Sequence, residues 1–346
     1  MDSWSTDLII GTTLFVSFII FLFYLHLYQT KTISSVSRAV LITGCDTGFG
    51  HQLAIRLDTE GYKVFAGCLD VNSEGARKLQ SYSQTLTILQ LDVTKSDQIE
   101  AAKVIVVNNL MGNVLWAVVN NAGLASHAQF EWLPKTTFER MIQVNLMGVV
   151  NVTREFLHLI RANKGRIINI ASMAGRTAIP GFTAYSASKF AVIGFSDSLR
   201  REMKHFDVKV ITIEPSLYKT GLSAHFILQN DVFWSIAEPA VRRDYGGKFF
   251  SDTQLSRNRL LNRARKNIDE VIDCCVHSVT AAYPSKRYVR PRHLQIFNDF
   301  FNEMFLDFQD LILYYITGIY TKPDMMCHEN QDIEHHMLGR RRSYAT

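Results

Sequence analysis

The residues best suited to chemistry are a tyrosine and a lysine four positions apart, Tyr185 and Lys189, with Ser172 upstream of both. Residues four apart lie on one face of a helix, so the lysine cation can lower the pKa of the phenol. A serine hydroxyl nearby can then orient a substrate oxygen. Because removal of hydride from an alcohol carbon needs simultaneous loss of the hydroxyl proton, this set indicates hydride transfer at an alcohol or carbonyl.

A glycine-rich turn supplies the second signal. Gly44, Gly48 and Gly50 follow the apolar run 39–43 and open an amphipathic segment. Glycines at such a point let the backbone approach a pyrophosphate held at the helix N-terminus, although a tight turn with close helix packing needs glycine as well. The pattern is Thr-Gly-x-x-x-Gly-x-Gly rather than Gly-x-Gly-x-x-Gly.

Apolar β-branched runs alternate with amphipathic segments from about residue 38 to 290, which predicts a parallel sheet with crossover helices. The runs are continuously hydrophobic, as expected when helices cover both faces of the sheet. The predicted strands are 39–43, 63–66, 86–90, 115–120, 166–170, 209–214 and a short one near 287–289. The predicted helices are 48–60, 73–81, 96–108, 138–163 and 183–205. We therefore predict an α/β fold with a doubly wound parallel sheet of the Rossmann type.

The order of these elements leaves room for one large domain with tails. We predict an anchor and linker over 1–37, the main domain over 38–293, and an amphipathic helical extension with a polar tail over 294–346. From about 215 to 267 the alternation dissolves into mixed aromatic and charged residues. A connection of this length in a compact domain is more often a functional lid than structureless chain.

Residues 8–28 form an uncharged stretch of 21 residues, long enough to cross a bilayer as a helix. No basic segment precedes it and no small-residue cleavage pattern follows, so a signal peptide fits less well. Acidic residues precede the stretch and basic residues follow it, which favours a cytosolic main domain. We predict a single-pass protein of the endoplasmic reticulum membrane, with a mitochondrial membrane as the alternative.

The segment 297–320 is rich in apolar residues, but Asp299, Glu303, Asp307 and Asp310 recur on one side. This pattern predicts an amphipathic helix rather than a second span. Packing onto the domain and insertion into the bilayer both stay open.

Composition excludes several classes of protein. The net charge is +5, from 37 basic and 32 acidic residues, and no long basic run interleaves with aromatics, so nucleic acid is not an expected partner. The five cysteines are odd in number and lack a Cys-x-x-Cys motif, which indicates free thiols in a reducing compartment. The C-terminal histidines have no acidic or sulfur partner at a ligand spacing, so no metal is expected.

Taken in order, the motifs resemble those of the short-chain dehydrogenase/reductase family over about residues 38 to 290. The motifs that carry the resemblance are the glycine-rich turn, the segment Asn120-Asn-Ala-Gly123 after the fourth strand, Asn145, Ser172, and the pair Tyr185 and Lys189.

The resemblance implies a role for each polar residue of the catalytic set. Tyr185 would be the general acid/base, and Lys189 would lower its pKa and hold the nicotinamide ribose. Ser172 would position the substrate oxygen, and Asn145 would anchor a water chain for the proton.

The resemblance also implies a nicotinamide cofactor. Asp70 lies near the end of the second predicted strand, and no Arg or Lys lies between residues 64 and 75. A carboxylate at this point accepts hydrogen bonds from the ribose hydroxyls and repels a 2′-phosphate, so the residue favours NAD. Asp92 matches the position that hydrogen-bonds the adenine, and Thr220 the one that bonds the carboxamide, although Ser216 replaces the family's glycine. The implied cofactor contacts are Gly44, Asp46, Thr47, Gly48, Phe49, Gly50, Asp70, Asp92, Asn120, Ala122, Gly123, Tyr185, Lys189, Pro215 and Thr220.

Segments 41–50, 64–70 and 243–250 look like the membrane-associated branch that contains retinol, hydroxysteroid and 3-hydroxybutyrate dehydrogenases. The anchor and the aromatic lid favour a lipophilic alcohol, a hydroxysteroid or retinol. The lid aromatics are Phe226, Phe233, Trp234, Tyr245, Phe249 and Phe250.

Two other functions stay open. The first is 3-hydroxybutyrate oxidation, for which Arg242, Arg243 and Lys248 could bind the carboxylate. The second is an inert membrane-bound lipid-binding scaffold, although such a protein would have no chemical reason to keep the whole catalytic set. A homodimer is also left open.

Overall fold

The computed structural model describes residues 10–20, 30–318 and 321–326, and only the backbone of residues 222–228. Seven strands in this part form one parallel sheet in the order β3-β2-β1-β4-β5-β6-β7. They are β1 (Arg38–Thr43), β2 (Lys63–Cys68), β3 (Thr87–Gln90), β4 (Val114–Asn120), β5 (Arg166–Ile170), β6 (Lys209–Pro215) and β7 (Arg287–Arg290). The predicted doubly wound sheet is confirmed.

Helices connect the strands and extend the chain beyond the sheet. In chain order they are α1 (Gly48–Thr59), α2 (Glu74–Tyr82), α3 (Ser96–Asn108), α4 (Lys135–Ile142), α5 (Gly148–Ala162), α6 (Thr183–Glu202), α7 (Gly221–Ile236), α8 (Pro239–Asn262), α9 (Asp269–Thr280), α10 (His293–Asn302) and α11 (Leu306–Thr317).

The core lies on both sides of the sheet. In β1, Val40 and Ile42 belong to one buried hydrophobic cluster, whereas Ala39 and Leu41 belong to another. Successive side chains of a strand point to opposite faces, so a strand covered on both faces needs an unbroken apolar run. This is why the strands could be read from the sequence.

The predicted helix 138–163 is divided by a wider turn. Helix α4 ends at Ile142, a five-residue π-helical segment covers Gln143–Met147, and α5 begins at Gly148. Single π turns inside α-helices occur frequently at functional sites. Here the turn carries Asn145, which is completely buried.

The predicted lid over 215–267 is largely helical, so the loss of alternation in the sequence does not mark a loss of regular structure. Helices α7 and α8 fill most of the segment, with a kink in α8 at Gly246, where φ is 78°. Most of the lid aromatics pack around Trp132, with centroid distances of 5.0 Å to Trp234 and 5.1 Å to Tyr245. Phe233, Phe249 and Phe250 belong to the same cluster. These rings therefore attach the lid to the domain.

The C-terminal extension consists of two helices where one was predicted. The break lies at residues 303–305 between α10 and α11, and residues 319–320 lie outside the described part of the chain. Phe301 is buried and Arg287 pairs with Asp299 at 2.6 Å, which fixes α10 to the domain. Apolar side chains such as Phe300 and Phe305 are exposed.

Part of the predicted membrane anchor can be compared with the structure. Residues 10–20 are helical, while residues 8–9 and 21–28 of the predicted span lie outside the described part. Among the described helices, none has both the length and the apolar character needed to cross a bilayer.

Replacement of Trp132 by alanine should loosen the lid. Its side chain is 2% exposed, and deletion of a buried aromatic costs about 3 kcal/mol or more. We expect thermal unfolding at a temperature roughly 6–12 °C lower. The neighbouring Phe130, which is 62% exposed, provides the matched control, since Phe130→Ala should change the melting temperature little. Equal shifts in the two variants would contradict this account of the lid.

Candidate active site

The candidate site lies at the carboxyl edge of the sheet, between β1 and β4. Chain order reverses between these neighbouring strands, and ligands of open α/β sheets bind at such a switch point. Gly44 follows β1, Gly123 follows β4, Ser172 follows β5 and Pro215 ends β6. The fold thus brings together residues that are far apart in the sequence.

Asn145 ties the loop after β4 to helix α6. Its Oδ1 accepts a hydrogen bond from Leu124 N at 2.7 Å, and its Nδ2 donates to Leu124 O at 2.8 Å and to Ser188 Oγ at 2.9 Å. Ser188 Oγ in turn donates to Tyr185 O at 2.7 Å. Both amide hydrogens of Asn145 are therefore used within the protein, and the turn of α6 that carries Tyr185 is held in place.

Lys189 is buried beside the hydrogen bonds that Asn145 makes to Leu124 and Ser188. Its Nζ donates to Ile170 O at 2.8 Å, and a Cβ on Gly123 would lie 3.7 Å from the same Nζ. Burial lowers the pKa of Lys189 to about 8, because a low-dielectric surrounding disfavours the ammonium. The ammonium lies 5.8 Å from the centroid of the Tyr185 ring.

Ser172 and Tyr185 are in direct contact. The Ser172 hydroxyl accepts a hydrogen bond from Ala174 N at 3.1 Å and faces Pro215 O at 3.4 Å. Burial raises the pKa of Tyr185 above its ordinary value, and the hydrogen bond to Ser172 opposes that shift only in part. In the protein alone, the net effect is thus opposite to the lowering expected from Lys189.

The glycine-rich turn packs against the turn after β4. Gly44 has φ +70°, and a Cβ there would lie 2.8 Å from Ala122 Cα. A Cβ on Gly50 would lie 2.4 Å from both Gly44 O and Asn121 Nδ2. Asn121 Nδ2 donates to Thr43 O and Gly44 O at 2.9 Å each, so this residue, which the sequence analysis did not single out, shapes the turn.

Helix α1 begins directly after this turn. Its N-cap residue, Thr47, makes no side-chain hydrogen bond to the helix, so the first amides of α1 keep the orphan N–H groups that attract an anion. A Cβ on Gly48 would lie 3.6 Å from Thr220 Cβ. The segment after β6 therefore folds back over the glycine-rich turn.

Two aspartates, Asp70 and Asp46, lie at the loop that follows β2. Asp70 is exposed at the end of β2, and its carboxylate accepts a hydrogen bond from Asn72 N at 2.8 Å. The carboxylate of Asp46 accepts from Leu69 N at 2.8 Å and from Asp70 N at 3.2 Å. Asp46 therefore holds the loop that presents Asp70.

Asp92 and Asn120 are both engaged by protein groups. The Asp92 carboxylate accepts from Thr94 N at 2.9 Å and Thr94 Oγ1 at 2.7 Å. The Asn120 side chain, 2% exposed, donates to Thr153 Oγ1 at 2.9 Å and to Asn169 Oδ1 at 2.8 Å. Asn120 thus directs its amide into the interior between β4, β5 and α5.

Tyr218 anchors the segment that follows β6. It is buried, its hydroxyl donates to Glu270 Oε2 at 2.9 Å, and its ring lies 5.9 Å from that of Phe49. Glu270 also pairs with Arg265. Phe49, predicted as a cofactor contact, therefore also helps to position the segment over the glycine-rich turn.

The surface beside Tyr185 is apolar. Phe182 and Ala125 form a small buried cluster, with Tyr185 packed against it. Four further aliphatic side chains complete the cluster: Ile179, Leu217, Leu260 and Leu261. A phenol next to such a wall can receive an alcohol attached to a hydrophobic body.

Comparison with known proteins identifies the family. The short chain dehydrogenase family model matches residues 38–230. Human retinol dehydrogenase 16 is 38% identical over 282 residues, which cover 80% of this chain and 88% of the relative. Bovine 17-beta-hydroxysteroid dehydrogenase type 6 is 40% identical over 72% of this chain and 79% of its own. Mitochondrial D-beta-hydroxybutyrate dehydrogenase of Rattus norvegicus is 37% identical over 270 residues, which cover 75% of this chain and 79% of the relative. This chain belongs to the short-chain dehydrogenase family.

Proposed function

We propose that the protein is an NAD-dependent dehydrogenase that interconverts a lipophilic alcohol and its carbonyl. The observation that carries the proposal is the Tyr185 phenol, packed against an apolar wall close to Ser172 and to the buried Lys189 ammonium. Relatives named for retinol and for a hydroxysteroid support a hydrophobic substrate.

In this proposal Tyr185 exchanges the hydroxyl proton of the substrate. Ser172 orients the same oxygen, and both hydroxyls lie at the carboxyl edge of the sheet. Lys189 contributes a buried charge next to the phenol, and its pKa of about 8 keeps most of the ammonium protonated at neutral pH. Asn145 holds α6 so that these groups keep their spacing, and a water chain at this residue remains our expectation.

The residues of the chain fit a dinucleotide. Gly44 and Gly50 leave a cradle that any Cβ would fill, and the start of α1 keeps free amide donors for a pyrophosphate. NAD, when bound, supplies the carbon that accepts hydride, and its oxidised ring carries a positive charge that favours phenolate over phenol. Asp70 is available for the ribose hydroxyls and would repel a 2′-phosphate.

Of the two alternatives, one has specific support and the other is disfavoured. Oxidation of 3-hydroxybutyrate is supported by the relative named for that substrate, although Arg242, Arg243 and Lys248 are exposed on the lid. An inert lipid-binding scaffold is disfavoured by the tight hydrogen bonding of Asn145 and Lys189, which is not needed to bind lipid.

We also propose that residues 8–28 anchor the enzyme in the endoplasmic reticulum membrane, with the catalytic domain in the cytosol. The uncharged sequence and the helical residues 10–20 support an anchor. The exposed apolar side chains of α10 and α11, including Ile296 and Leu306, would face the same bilayer. A mitochondrial membrane remains the alternative, because the hydroxybutyrate relative is mitochondrial.

The first prediction concerns the proton. Tyr185→Phe removes the phenol but keeps the ring, so kcat should fall by at least about a hundredfold. NADH binding, followed by fluorescence titration, should change little. Tyr82→Phe, at an exposed tyrosine, is the control and should keep full activity. Near-normal turnover of the Tyr185 variant would exclude the mechanism.

The second prediction concerns the coenzyme. The wild type should prefer NAD, and Asp70→Ser should lower the ratio of kcat/KM for NAD over NADP by about tenfold or more, since a charged hydrogen-bond acceptor and a repulsive charge are both lost. Asp97→Ser, at an exposed aspartate of α3, should leave that ratio unchanged. A wild type that prefers NADP would refute the assignment.

The third prediction concerns topology. After carbonate extraction the full chain should stay in the membrane, whereas a chain without residues 1–29 should be released. A glycosylation acceptor engineered into the exposed loop at residues 111–113 should remain unmodified in microsomes. Glycosylation at that site would show that the domain is lumenal.

A further inference from the structure

Two buried polar side chains lie in the wall of the site, and the proposed chemistry does not use them. Arg257 of α8 is 3% exposed, and His127, in the loop after β4, is 6% exposed. Burial and, second to it, the positive charge of Arg257 lower the pKa of His127 to about 4. At neutral pH the pair is therefore one guanidinium cation beside one neutral imidazole.

Neither side chain is satisfied by the described part of the chain. Arg257 Nε and Nη1 and His127 Nδ1 have no hydrogen-bond partner there. The one bond of the guanidinium is long, 3.5 Å from Nη2 to Asn258 Oδ1. Asp231 attracts the guanidinium, but its carboxylate accepts a hydrogen bond from Gln254. No carboxylate in the described part of the chain forms an ion pair with Arg257 at hydrogen-bonding distance, and a buried cation of this kind is stabilised by an anion that binds to it directly.

The position of the pair connects it to the reaction. Leu260 and Leu261 follow Arg257 by three and four residues on the same face of α8, and both pack in the cluster that contains Tyr185. The His127 ring lies 4.8 Å from that of Phe182, and the Phe182 ring lies 6.1 Å from that of Tyr185. The Phe182 ring thus lies between His127 and the Tyr185 ring, and Arg257 is connected to the same cluster through its own helix.

We propose that Arg257 and His127 bind a carboxylate of the substrate, which makes the substrate a lipophilic hydroxy acid. The alcohol would meet Tyr185, the hydrophobic body would follow the wall of Phe182, Leu260 and Leu261, and the carboxylate would reach the buried guanidinium. Arginine binds carboxylates with two parallel hydrogen bonds, and the imidazole adds a neutral donor.

The inference rests on the proposed function and refines its substrate class. A hydroxysteroid with a carboxylate side chain and a hydroxy fatty acid offer the same chemistry. The exposed lid cations that the sequence suggested for a carboxylate, Arg242, Arg243 and Lys248, are replaced in this role by the buried Arg257.

The test compares acids with their methyl esters. Full-length protein in membranes is assayed with NAD on a hydroxysteroid carboxylic acid, on ω-hydroxy fatty acids of increasing length, and on the ester of each. The wild type should favour acid over ester by at least about tenfold in kcat/KM. Arg257→Leu should lose that preference through a higher KM for the acid, and Arg257→Lys should keep part of it. Arg243→Leu removes an exposed lid arginine and should leave kcat/KM unchanged for both the acid and the ester.

A binding measurement reads the subsite without turnover. Dodecanoate, which lacks the reacting hydroxyl, should raise the melting temperature of the wild type with NADH present, but not that of Arg257→Leu. Without any ligand, Arg257→Leu should melt no lower than the wild type, because it loses an uncompensated buried charge. A structural role for Arg257 predicts the opposite, a lower melting temperature and an equal loss of activity on acids and esters.

The outcomes separate the two proposals. Equal use of acid and ester by the wild type, or retention of the preference in Arg257→Leu, would overturn the carboxylate site while leaving the dehydrogenase intact. If the wild type oxidises no alcohol of either series, the proposed function fails, and the dodecanoate measurement decides the subsite by itself. Preference for the hydroxysteroid acid over every ω-hydroxy fatty acid would indicate a steroid body, and the reverse preference would indicate a fatty chain.

Discussion

The active site depends on one buried amide. Asn145 bonds through both ends of its side chain to the backbone of Leu124, and its Nδ2 also donates to Ser188 Oγ of helix α6. Asn145 lies within the π-helical segment Gln143–Met147, and such turns occur frequently at functional sites. The spacing of Tyr185 and Lys189 relative to the turn after β4 follows from these bonds.

Burial acts on the two central ionisable groups in opposite directions. It raises the pKa of Tyr185 and lowers that of Lys189, because each charged form loses hydration. The protein alone therefore favours a neutral phenol, and Ser172 offsets this only in part. In the mechanism that we propose, such a site holds the acid ready for reduction and relies on further positive charge to form the base.

The sequence was sufficient for those elements whose signal is local. Buried parallel strands need unbroken apolar runs, and all seven were predicted to within about two residues of their bounds. The glycine-rich turn and Ser172 were found for a similar reason, since their residue types are restricted by close backbone approach or by chemistry. Asp70, predicted to contact the ribose of the cofactor, is exposed just after β2.

The rest depends on contacts between distant residues. Helices α7 and α8 have no clear apolar stripe, because their aromatic residues converge on Trp132 of another segment. In the sequence, Asn121 looks like an ordinary turn asparagine, and only the structure shows that its amide donates a hydrogen bond to the backbone of β1. Arg257 is one of many lid cations in the sequence, and burial alone distinguishes it from Arg243. Contacts between distant residues and the burial of a single side chain are set by the tertiary fold, and they leave no periodic pattern in the sequence.

The central claim is that the site moves hydride directly between an alcohol carbon and a nicotinamide. It can be tested with a lipophilic hydroxy acid that carries deuterium on the carbinol carbon, incubated with the full-length protein and NAD. Mass spectrometry of the recovered coenzyme should show one deuterium in each NADH formed. Unlabelled NADH, or deuterium released to water, would contradict the account.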